Sequence, residues 1–445
     1  MGSGSRDVAG GGCAMTDAGT GNGWDAEWNA YITTLRVVMN DSWAEDGEDL
    51  DIEGRLMPFW MACRAGSADE VVEMLQREGE HVNRRCLWHG WTALHWASRA
   101  GRAQVAQVLV AFPGIDVNQA DDRGWTALYV ASAHGHTEVA RLLAAAPGVD
   151  LNQAGRSGRT PLHAACAAGQ ADVVKVLLAT PGLDADGVDE EGQTPLHVAS
   201  AAGHTEVVKM LLAAPGIVAS RGDVSRKTPL HVASAEGRAH VVQVLLAAPG
   251  IEVNQEEACG WTPLSEASAG GHSETVRLLL AAPGIAVNQA DVKGRTPLHR
   301  ASAGGHVEAV RRLLAAPGID VDRACDEGHT PLWVACSHAD RDVARLLLAV
   351  PGVALGTPSE PLAVLHIVRQ RIVHELDPGS NAEVDIAELV SDVERACIKR
   401  VVGPLIPVLI HGGVPRSSAA ALAIHGLTDD GLRARARALM MHGGA

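Results

Sequence analysis

Residues 194–227 read TPLHVASAAGHTEVVKMLLAAPGIVASRGDVSRK, and this order of side chains dictates two short helices and a turn. Thr194 suits the residue before a helix, because its hydroxyl accepts a bond from an N–H left free in the first turn. Pro195 suits the first helical position, where no N–H is needed. Gly203 ends that helix, since the left-handed residue after a helix is least strained as glycine. Val207, Val208, Leu211 and Leu212 then fall on one face of a second helix, which Pro215-Gly216 stops, and a turn-rich connector runs from Ile217 to the next threonine. Helices this short are marginal alone, and one pair cannot bury its apolar face, so the unit is stable only between copies of itself.

The copies are present. Thr92-Ala-Leu-His95, Thr126-Ala-Leu-Tyr129, Thr160-Pro-Leu-His163, Thr194-Pro-Leu-His197, Thr228-Pro-Leu-His231, Thr262-Pro-Leu-Ser265, Thr296-Pro-Leu-His299 and Thr330-Pro-Leu-Trp333 follow one another at a period of 34. A fixed period of this size means one supersecondary unit stacked many times. The pattern Thr-Pro-Leu-His-x-Ala, then Gly-His and Val-Val-x-x-Leu-Leu, stands almost intact at Thr194 to Leu212. It returns, with Gln170 in place of the second histidine, at Thr160 to Leu178. On these residues the chain resembles the ankyrin-repeat family, strongly over 88–353. It departs from the commonest family period by one extra residue, in the Ala-Ala-Pro-Gly-Ile connection. The resemblance implies an all-α solenoid of helix-turn-helix repeats joined by β-hairpin-like loops, and stacking predicts an elongated, curved particle.

A degenerate ninth unit precedes these. Met57-Pro58-Phe59-Trp60-Met61-Ala62-Cys63-Arg64-Ala65-Gly66 aligns with Thr92 to Gly101, and Val71-Val72-Glu73-Met74-Leu75 continues as its second helix. Terminal units must hide one apolar flank from water, so an atypical first unit is expected. The predicted organisation is a disordered glycine-rich tail over 1–23, a short helix and acidic linker over 24–54, a capping repeat over 55–87, eight repeats over 88–356, and a helical cap or small domain over 357–445. Trp24, Trp28, Tyr31, Leu35 and Val38 mark the short helix, and the acids from Asp41 to Glu53 mark the linker. The last segment carries apolar stripes from Leu362 to Leu376 and from Ile386 to Val401. It is expected to pack on the last repeat, where Ala339 replaces the usual glycine and no signature follows Val353.

The net charge of -16 repels phosphate backbones and anionic lipid, so neither nucleic acid nor membrane is expected as a partner. The 8 cysteines show no C-x-x-C spacing, and Cys166 and Cys336 sit where other units have serine, as small core residues of a reducing compartment do. Residues 1–23 lack the apolar core of a signal peptide, Arg6 stands where a myristoylation motif needs serine or threonine, and Val401 to Ile410 is too short to span a bilayer. A soluble, monomeric, cytoplasmic protein without cofactor is expected, with the nucleus left open as a second compartment.

Reactive constellations are not evident. His374-Glu375 begins like a zinc-protease helix, but Pro378 holds the second histidine position, and Gly19-Thr-Gly21-Asn-Gly23 lacks the lysine of a phosphate loop. The signature histidines His95, His163, His197, His231 and His299 come one per unit. Packed helices lie ~8 to 10 Å apart, too far for two ligands of one zinc. The resemblance implies a structural role for them. Asn118, Asn152, Asn254 and Asn288 share one connector position suited to a tight turn, and the resemblance makes them possible targets of an oxygenase. Glu266 and Arg300, one period apart, are expected to face each other as an exposed ion pair.

For function, the resemblance implies a non-catalytic scaffold that binds a partner protein on a concave surface. The residue before the signature threonine and those before the first-helix glycine line that surface. Of 10 tryptophans, only Trp261 and Trp333 lie beyond residue 126, so the N-terminal repeats hold most of the aromatic contact area. Trp91, Arg99, Trp125 and His134 are accordingly the candidate partner-binding residues, whereas the middle repeats offer alanines such as Ala167, Ala168, Ala201 and Ala202. The competing account of Trp91 and Trp125 is packing between neighbouring hairpins. A second functional reading is an adaptor or enzyme subunit, such as a ubiquitin-ligase substrate adaptor, whose activity is recruited by 357–445. Cys397-Ile-Lys-Arg400 and the prolines after it do not reproduce the ligase-recruiting box of such proteins.

Overall fold

The computed structural model describes residues 48–78, 81–86, 89–338, 340–354 and 393. The tail over 1–23, the predicted helix from Trp24 to Val38, Ala339 and the helices expected across 357–445 lie outside the described residues. Among the described residues every regular element is a helix, and together they form an all-α solenoid. The chain divides into two compact units, 1–184 and 185–445.

In the first unit, α1 (Glu48–Ala65), α2 (Ala68–Glu78), α3 (Ala93–Arg99), α4 (Ala103–Val110), α5 (Ala127–His134), α6 (Thr137–Ala144), α7 (Pro161–Ala167) and α8 (Ala171–Leu178) alternate between two layers. α1, α3, α5 and α7 stack in one layer, and α2, α4, α6 and α8 in the other. The degenerate repeat packs as a repeat, with Phe59, Trp60 and Cys63 buried. Its first helix differs from expectation. α1 begins at Glu48 and runs through Pro58, so Glu48 to Glu53 form its first turns instead of a linker. Anionic residues are favoured there by the positive end of the helix dipole.

The second unit repeats the plan with α9 (Pro195–Ala202), α10 (Thr205–Ala213), α11 (Pro229–Ala235), α12 (Ala239–Leu246), α13 (Pro263–Ala269), α14 (Ser273–Leu280), α15 (Pro297–Ala303), α16 (Val307–Leu314), α17 (Pro331–Ser337) and α18 (Arg341–Leu348). The odd-numbered helices stack on one another, as do the even-numbered ones. Leu196, Val207, Val208 and Leu211 are fully enclosed, and Leu230 and Leu245 fill the same places one period on. Thr194 accepts a bond from the N–H of His197 at the start of α9, and Gly203 is left-handed at its end.

Polar side chains hold each repeat to the next. The Nδ2 of Asn118 donates to the Gly148 carbonyl at 2.7 Å, and its Oδ1 accepts from the Asp150 N–H at 2.8 Å. Asn152, Asn254 and Asn288 repeat this two-sided bridge. Asn83 of the degenerate repeat makes the same bridge, to the Gly114 carbonyl and from the Asp116 N–H, and Ser220 takes the place of the asparagine in another, donating to the Gly250 carbonyl and accepting from the Glu252 N–H. A turn residue in the sequence is thus a clamp between repeats. The residue after the first-helix glycine reaches the other way: the Nε2 of His136, His272 and His306 bonds the carbonyls of Arg99, Ala235 and Ala269 at 2.8 to 2.9 Å.

One polar position is not satisfied. Ser98, Ser132, Ser200, Ser234, Ser268 and Ser302 are wholly buried in the first helices, and their hydroxyls make no hydrogen bond. At the matching places Cys166 and Cys336 are buried instead, and desolvation pushes the Cys166 thiol above its ordinary value. A buried hydroxyl without a partner costs about 1 to 3 kcal/mol. Ser234→Ala is therefore expected to raise stability by about 1 kcal/mol. Thermal unfolding checks this, and a lowered midpoint would refute it.

Candidate functional site

Five of the hairpin turns are closed by a carboxylate, whereas Gly155 and Cys325 hold the matching place in two others, where the backbone bonds to Arg159 and His329 close the turn. The Oδ1 of Asp121 accepts from the backbone N–H groups of Arg123 and Trp125, both at 2.8 Å, and the Trp125 carbonyl accepts from the Asp121 N–H at 2.9 Å. Asp189, Asp223, Glu257 and Asp291 close the same turn in the second unit. Successive tips are tied by single backbone bonds, such as the Val224 N–H to the Glu191 carbonyl at 3.1 Å and the Val292 N–H to the Cys259 carbonyl at 3.1 Å. The hairpin-like loops are present, without strand pairing among the described residues.

The signature histidines are fixed by both ring nitrogens. In the fifth full repeat the Thr228 N–H donates to His231 Nδ1 at 3.1 Å, the Thr228 hydroxyl lies 2.8 Å from the same nitrogen, and His231 Nε2 lies 3.1 Å from the Trp261 carbonyl. Nδ1 faces a backbone donor, so it is the acceptor, and the proton sits on Nε2, where it reaches the carbonyl of the next repeat. His95, His197 and His299 make the same three contacts. Desolvation lowers the pKa of all four, and that of His231 to about 4. Neutral imidazoles with both nitrogens engaged are structural joints, and among the described residues no cluster of ligating side chains could hold a metal.

The candidate residues fall into separate groups. Trp91 is 7% exposed, donates its indole N–H to Asp121 Oδ2 at 3.1 Å and meets Trp96 edge-on with ring centroids 4.7 Å apart. Trp125 is half-buried, stacks on Tyr129 at 5.0 Å and has the Arg123 guanidinium 5.0 Å from its ring. Gly155 of the following hairpin lies so close that an added Cβ would be 2.7 Å from the indole. Arg99 and His134 do come together, with Arg99 Nη1 at 2.6 Å from His134 Nε2. An arginine can only donate, so His134 accepts and is neutral. Desolvation, with Arg99 and His136 beside it, lowers its pKa to about 4.

Glu266 and Arg300 do not pair. Glu266 bonds Lys227 at 2.8 Å, and its side chain is only 10% exposed. Arg300 bonds Asp291 and lays its guanidinium 3.6 Å from the Trp261 ring centroid. The reason is register. The hairpin residue before each signature threonine leans against the first helix of the next repeat, so contacts run from 227 to 266 and from 261 to 300, a step of 39 and not the period. Asp291 holds a second arginine, Arg295, whose Nε lies at 3.1 Å. The 39-residue offset exposes the arginine–tryptophan stack and the Lys227–Glu266 pair in the sequence, whereas the shared carboxylate joins residues 4 and 9 apart and does not follow from it.

Among curated proteins the sequence finds no match. Among solved structures, the crystal structure of the human ASB11 ankyrin repeat domain is similar, with 29% sequence identity over 52% of this chain and 100% of that one, at a TM-score of 0.45. The family profile described as "Ankyrin repeats (3 copies)" matches residues 59–155, 114–189, 146–223, 178–257, 218–291 and 284–356 in overlapping registers. These matches cover more than half of the sequence and span the same helices, hairpins and joints described above, and the chain therefore belongs to the ankyrin-repeat family.

Proposed function

We propose that the protein is a non-catalytic interaction scaffold that captures a partner protein on the inner face of its N-terminal repeats, with Trp125, Arg99 and His134 in contact and Trp91 supporting them from beneath. One observation carries this. The polar groups shared by the repeats are buried or consumed internally: the first-helix serines are enclosed, the histidines bond a threonine and a carbonyl, the asparagines bridge connectors and the aspartates close turns. What remains to face a partner is the set of positions that differ between repeats, and in the N-terminal repeats those carry aromatic and basic side chains of the kind that dominate interface energetics. Ankyrin repeats are generally protein-interaction modules, which agrees with this reading.

Affinity capture on the full chain followed by mass spectrometry identifies the partner. Trp125→Ala and His134→Ala are expected each to weaken capture about thirtyfold, the equivalent of about 2 kcal/mol at a hot spot, with the melting temperature of His134→Ala unchanged. Undiminished capture by both variants would place the contact elsewhere.

A further inference from the structure

We propose that the second unit carries its own docking edge for an acidic segment of a partner protein, formed by Lys227, Trp261 and Arg295 with Arg300 behind them. This rests on the protein-binding reading but not on its N-terminal residues. The three front residues hold the same place in consecutive repeats, immediately before Thr228, Thr262 and Thr296. Lys227 and Trp261 are pinned there by their carbonyls, which accept from His197 and His231.

The charges along this edge are sorted by depth. The side chains of Lys227 and Arg295 are 36% and 34% exposed, while those of their carboxylates Glu266 and Asp291 are 10% and 1% exposed. One carboxylate serves both Arg295 and Arg300, so the pair of arginines leaves a positive charge over. A partner therefore meets cations, with the acids behind them, although the whole chain has a net charge of -16. Two exposed acids flank the edge: Glu236, at the end of α11, lies 3.9 Å from Arg238, and Asp326 of the following hairpin brings its Oδ1 within 2.7 Å of the Cβ site of Gly294, beside Arg295. Between the cations, Trp261 offers a half-buried ring stiffened by the stacked Arg300.

Spacing favours a peptide over a polyphosphate. Stacked repeats lie ~8 to 10 Å apart, so Lys227 and Arg295, two repeats apart, stand roughly 16 to 20 Å from each other. An extended peptide rises about 3.3 Å per residue, so carboxylates five or six residues apart would meet the two cations while an apolar residue between them reaches Trp261. A nucleic-acid strand carries charge far more densely and would be repelled by the rest of the surface.

The test uses the full chain and a fluorescein-labelled peptide of sequence Glu-Ser-Ser-Leu-Ser-Ser-Glu, followed by anisotropy at low and high salt. Saturable binding that weakens with salt is expected, reduced about tenfold in the double variant Lys227→Gln/Arg295→Gln and about tenfold for the peptide with glutamine at both ends. Arg295→Lys keeps the charge and should bind as the parent does, and thermal melts confirm that the variants are folded. No binding, equal binding of the glutamine peptide, or an oligothymidylate that competes better than the acidic peptide would each overturn the proposal. Capture of the natural partner through Trp125 and His134 is scored separately, so the loss of this edge leaves the N-terminal reading standing, and the reverse holds as well.

Discussion

Between pH 7.5 and pH 5 the second unit is expected to lose about 2 kcal/mol of stability through His231 alone, rising to about 3 kcal/mol near pH 4. The folded state holds this imidazole at about 4, against 6.5 for the free side chain, because burial disfavours its charged form. A folded pKa below the unfolded one means that the unfolded chain binds the proton more readily. Stability is therefore fully present above about pH 6.5 and falls as the pH drops toward 4. His95, His197 and His299 shift in the same direction for the same first cause, so the losses accumulate in a stack whose units depend on their neighbours. The geometry gives the reason. A protonated ring would turn a donor toward the Thr228 N–H at 3.1 Å, replacing an acceptor with a repulsion. Urea unfolding at several pH values measures the effect. His231→Ser copies the Thr262–Ser265 pair, in which the two hydroxyls lie 3.1 Å apart, and should flatten the pH dependence. An equally steep profile in that variant would assign the acid sensitivity to other groups.

The repeat architecture was open to reading because its causes are local. Thr194 caps, Pro195 starts, Gly203 stops, and the alternation of short helices follows from those residues with no knowledge of neighbours. The start of α1 was less legible, since Pro58 aligned with the proline that opens other first helices while the helix itself begins at Glu48. Proline marks a permitted start, and a run of acids before it can supply an earlier one.

Interactions between repeats were harder to read. A turn asparagine such as Asn118 looks sufficient within its own connector, yet both ends of its amide are used by the following one. Pairing Glu266 with Arg300 assumed that equivalent positions face each other across a repeat boundary. Hairpins lean forward, so Lys227 reaches Glu266 first and Arg300 turns to Trp261 and Asp291. Among the candidate binding residues, the sequence singled out large side chains but not their depth. Trp91 and Trp125 hold equivalent positions, and the indole of Trp91 is drawn inward by Asp121 and Trp96.

Two glycines separate backbone strain from packing between repeats. Gly250, at a connector tip, has φ 76° and nothing within 4 Å of where a Cβ would stand, whereas Gly260, at a hairpin tip, has φ 79° and a Cβ site 2.9 Å from the Val292 nitrogen. Alanine at either position bears the left-handed penalty of about 1 to 2 kcal/mol. At Gly260 the new methyl also meets the backbone of the next hairpin, with Asp291 Cα at 3.2 Å. That backbone cannot retreat freely, because the Val292 N–H bonds the Cys259 carbonyl at 3.1 Å and Asp291 closes its own turn beneath Arg295 and Arg300. Crowding of this kind adds about 1 to 3 kcal/mol. Gly260→Ala should therefore cost roughly 3 kcal/mol and Gly250→Ala roughly 1 kcal/mol, measured by urea unfolding of the full chain. The difference reports how rigidly one hairpin is seated on the next. Equal losses at the two sites would mean that the tips slide apart easily, and that the seam bearing Trp261 and Arg300 is held by the helices alone.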